Sequence, residues 1–88
     1  MTRIAKTLKV NKRIAMSFIG RTFARLRHLQ KVSKLSLKAV ELVVKETFVA
    51  IYLDGIEVLK ATRDSMVEWN IDVTERLHNL LQSQEQAA

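Results

Sequence analysis

The chain has 88 residues, with 15 Lys and Arg against 9 Asp and Glu, for a formal net charge of +6. It holds no Cys, no Pro and only two Gly. A disulfide scaffold, a thiolate metal site, a cysteine nucleophile and the Gly/Pro-rich classes are excluded, and an apolar fraction of 48% suits one small globular domain.

The charge is unevenly placed. Residues 1–38 carry eleven basic groups and no acid, whereas residues 39–88 carry four basic groups and nine acids. The two segments stand at +11 and −5. A surplus of that size stays exposed and implies a basic contact surface. No apolar h-region or stretch of about 18 uncharged apolar residues occurs, so neither secretion nor a transmembrane helix is expected. A cytoplasmic or other intracellular location follows as the expectation, with attachment to a membrane surface as an option. The acid-free, Arg-rich start also has the character of a mitochondrial transit segment.

Placed on a helix, Ile4, Leu8, Ala15, Phe18, Ile19, Phe23, Leu26 and Leu29 form one stripe. Lys6, Lys9, Arg13, Arg27, Lys31 and Lys34 fall opposite it. The spacing predicts a basic amphipathic helix within residues 1–34, most regular over about 3–31. Asn11 is a candidate cap for a later start, and Gly20 a candidate break or close-contact point. A turn is expected over residues 32–37, with Ser33 or Ser36 starting the next helix.

Residues 37–69 are expected to form a second, apolar helix. Glu41 and Lys45, and Lys60 and Asp64, sit four apart, where helical side chains meet. Apolar residues between Leu42 and Leu53 cover nearly the whole circumference of such a helix, and a helix apolar all round is buried all round. One 88-residue chain cannot enclose it, so a homo-oligomer is expected, with Leu42, Val44, Phe48, Ile51, Tyr52, Ile56 and Trp69 as interface residues. Trp69 also suits the chain's own core. A competing reading is a β-hairpin turning at Asp54-Gly55, a dipeptide suited to a type I′ turn. It would make the fold α+β rather than all-α. Asp72, with Glu75 three positions on, suggests a capped third helix over 72–84, followed by a polar tail at 85–88.

Little in the chain suggests catalysis. His28 and His78 are isolated, and Glu57, Asp64 and Glu68 have the spacing of a solvated helical face. No metal, cofactor or small-molecule substrate is inferred, and no phosphate-binding glycine loop or catalytic motif occurs. The expected molecule is an all-α, non-enzymatic, self-associating module. Its basic face, through Lys6, Lys9, Arg13, Arg21, Arg27, Lys31 and Lys34, is expected to bind a polyanion, foremost the nucleic-acid backbone without sequence specificity. The alternatives are an acidic protein surface as the partner of the basic face, a structural or regulatory adaptor that binds another protein through its apolar helices, and attachment to an anionic membrane.

Overall fold

The computed structural model describes residues 3–32 and 39–86. In chain order the elements are β1 (Ile4–Asn11), α1 (Lys12–Lys31), β2 (Val40–Val44), β3 (Phe48–Leu53), β4 (Ile56–Arg63), β5 (Glu68–Thr74) and α2 (Glu75–Gln86). The strands make one antiparallel sheet in the order β1-β5-β4-β3-β2. Strands β2 to β5 form a meander, and β1 closes onto β5.

The all-α expectation is therefore overturned, and the long helices over 1–34 and 37–69 do not exist as such. Residues 4–11 pair with β5 as a strand, so the helix begins only at Lys12. Asn11 caps that later start: its side-chain Oδ1 accepts the Ile14 N–H at 2.9 Å. The supposed central helix is three strands, β2 to β4, and the start of β5. Its apolar run covers both faces because β3 lies inside the sheet, where Val49, Ala50, Ile51 and Leu53 are all buried. The Asp54-Gly55 hairpin is present, with positive φ at both residues (51° and 83°), as a type I′ turn requires. Asp72 does not cap a helix; it lies in β5 and accepts a hydrogen bond from the Thr7 hydroxyl at 3.0 Å. Thr74 takes the capping role instead, its Oγ1 accepting the Leu77 N–H. The turn expected over 32–37 lies, beyond Val32, outside the described residues.

Register decides the faces. Leu8, Ile71, Ala61 and Val49 are paired in a row across the sheet, and so are Val73, Leu59, Ile51 and Leu42. Both rows face α1, which buries Ala15, Ile19, Thr22, Leu26 and Leu29 against them. Leu77 of α2 joins the same cluster, with Leu80 and Leu81 packed against it. Both helices thus share one side of the sheet. Each fully buried Leu or Ile here contributes about 1.5–3 kcal/mol relative to exposure. Val58 is the extra residue of a β-bulge, since Tyr52 pairs with Glu57 while Ile51 pairs with Leu59. No helix of the described residues lies on the other side of the sheet, and side chains there pair with one another. Lys60 lies over the Phe48 ring at 5.0 Å, and the Tyr52 hydroxyl donates to Glu57 at 3.3 Å.

The reason for expecting oligomerisation through the central segment disappears with the helix. Ile51 and Trp69 are 0% and 3% exposed within the single chain, in its own core. Phe48 and Tyr52 are half-buried on the helix-free side of the sheet. Only Leu42, Val44 and Ile56 remain exposed among the expected interface residues.

Candidate polyanion-binding face

Helix α1 has six basic side chains and no carboxylate: Lys12, Arg13, Arg21, Arg25, Arg27 and Lys31. With one face committed to the sheet, the 3.6-residue period sends Arg13, Ser17, Gly20, Arg21, Ala24, Arg27, His28 and Lys31 outward. All eight are exposed. Small residues between the cations keep the stripe shallow. Gly20 has no neighbour within 4 Å of where a Cβ would sit, so close helix contact does not explain it. From Arg13 to Lys31 the stripe extends about 27 Å at 1.5 Å per residue.

Lys12, Arg13, Arg21, Arg27 and Lys31 have no ion pair with a described residue. The three ion pairs there are Arg3 with Glu75 (3.9 Å), and Lys9 with Asp64 (3.6 Å) and Glu68 (3.3 Å). All three arise from β1 or the residue before it. The carboxylates that could have neutralised α1 lie elsewhere: Asp64 and Glu68 on Lys9, and Glu57 on Tyr52. Lys12 and Arg13 also sit at the positive end of the helix dipole, whose first turn contains no acid. No described carboxylate pairs with Lys12 or Arg13.

A cleft opens between α1 and α2 above β1 and β5. Lys6, Arg21, Arg25 and His78 line it, with Phe18, Val73 and Leu81 as its apolar part. Among the described residues no carboxylate lines it. Arg25 is partly committed, donating from Nη2 to the Leu81 carbonyl at 3.3 Å and so tying the two helices together. Arg21 also borders a shallow groove with Arg13 and Ser17 at the start of α1, which makes the positive surface continuous. A second groove, near the helix end, is bordered by Arg27, His28 and Lys31.

The structure thus gathers Lys6, Arg13, Arg21, Arg27 and Lys31 on the helix side of the molecule. Lys9 is separated from them. On a strand, Lys6 and Lys9 point to opposite faces, and Lys9 meets acids on the helix-free one. Its ammonium is held above its ordinary pKa by the hydrogen bond it donates to Glu68, then by the charges of Glu68 and Asp64. Lys34 lies outside the described residues. Sequence periodicity misses Arg25 and His78 as members of the cleft, because His78 arrives from α2, 53 positions after Arg25. Among the described residues no three His, Asp or Glu side chains converge as metal ligands, and neither helix is long and apolar enough to cross a membrane. No known protein family, curated protein or solved structure matches the chain.

Proposed function

We propose that this protein is a non-enzymatic module that binds a polyanion, foremost the backbone of nucleic acid, through the outer face of α1. The observation that carries this reading is the exposed, acid-free stripe of Arg13, Arg21, Arg27 and Lys31, unpaired among the described residues. Arginine and lysine on a convex helix suit phosphate oxygens, whose neutralisation releases condensed counterions. Cations dominate the stripe, with Ser17 the polar uncharged side chain among them, so the proposed contacts are to the backbone and recognition is independent of sequence. Lys6, across the cleft from Arg21, extends the same positive field.

With four cations meeting phosphates of duplex DNA, log affinity falls against log salt with a slope of roughly −3.6. Reversing Arg13, Arg27 and Lys31 together to Glu abolishes binding while leaving helicity intact and the melting temperature no lower, because all three are exposed and hold no described carboxylate. Fluorescence anisotropy with two unrelated duplexes, across a salt series, measures both effects. Unaltered DNA affinity in the triple variant would reject the proposal. Binding by the wild type to anionic vesicles but not to DNA would assign the face to a membrane instead.

A further inference from the structure

The two edges of the sheet differ. β1 forms one edge and carries Lys6 and Lys9, with a register irregularity between Ile4 and Lys6. Lysines and bulges are the usual protection of an edge against pairing. β2 forms the other edge, with the sequence Val-Glu-Leu-Val-Val, and has neither device. Leu42 and Val44 on it are 38% and 65% exposed.

The main-chain directions of β2 follow from its contacts with β3. The Lys45 N–H donates to the Phe48 carbonyl at 2.8 Å, and the Asp54 N–H to the Ala39 carbonyl at 2.9 Å. Odd-numbered residues from 39 to 45 therefore direct their main-chain groups toward β3. The alternation of a strand leaves the N–H and C=O groups of Val40, Leu42 and Val44 directed outward at the free edge.

We infer that the β2 edge is a homodimer interface, in which β2 pairs antiparallel with β2 of a second copy about a two-fold axis through Val43. In this register Leu42 lies opposite Val44 of the partner subunit, and the two exchange both main-chain hydrogen bonds. The symmetric pair does the same. Val43 meets the partner's Val43 as a non-hydrogen-bonded pair, the closer kind. Glu41 falls opposite the partner's Lys45, and Lys45 opposite the partner's Glu41, on the helix-free face. Glu41 and Lys45 are exposed and have no ion pair with a described residue. The neighbouring register, with Leu42 opposite the partner's Leu42, satisfies the same main-chain directions but sets Glu41 against Val43. Charge complementarity thus selects both the partner, a second copy, and the register. Leu42 and Val44 of both copies form one apolar row on the helix side. The product is a ten-stranded sheet with both α1 helices on the same side, a bivalent basic surface. This inference stands independently of the polyanion reading, since its test contains no polyanion.

Sedimentation equilibrium at low salt, at about 10–300 μM protein, is expected to show a reversible monomer–dimer equilibrium, because a five-residue edge is a small interface. E41K and K45E, each alone, weaken the dimer by roughly tenfold or more, since both cross-strand pairs become like charges. Mixing the two variants restores association as a heterodimer, because every facing pair is again opposite in charge. Combining both changes in one chain restores the homodimer. V44K disrupts it from the apolar row and leaves circular dichroism unchanged. A wild-type monomer across the whole range would overturn the inference. So would dimers indifferent to E41K and K45E, or single variants that fail to associate when mixed.

Discussion

Lys9 and Tyr52 stand on the helix-free side of the sheet, and each holds its proton more tightly in the folded chain than in the unfolded one. For Lys9 the first cause is the hydrogen bond to Glu68, followed by the charges of Glu68 and Asp64. For Tyr52 it is burial, followed by the carboxylate of Glu57. In both cases the folded pKa lies above the ordinary value, 10.5 for the lysine and 10.0 for the tyrosine. The folded state then binds more protons than the unfolded state in the alkaline range, so stability falls as pH rises there. Below those ordinary values the contribution is fully present; as pH climbs through the raised values it is lost. Melting temperature is expected to be insensitive to these groups at neutral pH and to decline above about pH 10. In Tyr52→Phe the tyrosine share of that decline disappears, and in Lys9→Met the lysine share. Calorimetric scans at pH 8 to 11.5 test both; a melting temperature that rises over this interval would contradict the assignment.

At the scale of elements, what the sequence discloses depends on which periods a segment obeys. In α1 the spacing from Ala15 to Leu29 satisfies only the helical period, and the helix is legible from it. In β1 the spacing misleads, because Ile4 and Leu8, four apart, fit a helical stripe and a strand face equally. Val10 breaks the tie: it lies off the helical stripe but shares a strand face with Leu8, and both pack on the core. β5 carries the cleanest alternation in the chain, Trp69, Ile71 and Val73 buried between half-buried Glu68, Asn70 and Asp72. That period of two identifies a strand with one covered face. β3 is ambiguous by itself, since an apolar run without alternation fits an interior strand or a buried helix. The Asp54-Gly55 pair resolves it, and its conformation sets a test. Gly55 has φ +83°, which a β-branched side chain adopts with strain. Gly55→Val is expected to cost about 1–2 kcal/mol, and Gly55→Asn far less. Urea denaturation of the two variants measures the difference; equal stability would mean that the turn is not held in the left-handed region.

For the molecule as a whole, the split of +11 and −5 along the chain becomes a split in space only in part. Three of the eleven N-terminal cations, Arg3, Lys6 and Lys9, reach α1's neighbours through β1, and two of those three meet acids. The basic candidate residues on α1 were legible because a helix maps sequence spacing directly onto one surface. The cleft was not, because its walls come from β1, α1, β5 and α2 and meet only through the sheet order. The remaining cations on α1 repel one another and the positive end of their own helix dipole, a cost the folded state bears in dilute buffer. Salt screens that repulsion, so the melting temperature is expected to rise modestly from low to physiological ionic strength, where the Debye length falls to about 8 Å. A bound polyanion removes it at the site itself and adds linkage: ligand at 100 times its dissociation constant stabilises by about 2.7 kcal/mol. For a domain of this size that corresponds to a rise of roughly 10–20 °C. The Arg13, Arg27, Lys31 triple reversal is expected to lose both responses, because it removes the repulsion and the ligand together. Thermal melts of the two proteins, with and without a short DNA duplex at low salt, separate the outcomes. A duplex that raises both melting temperatures alike would place its binding away from α1.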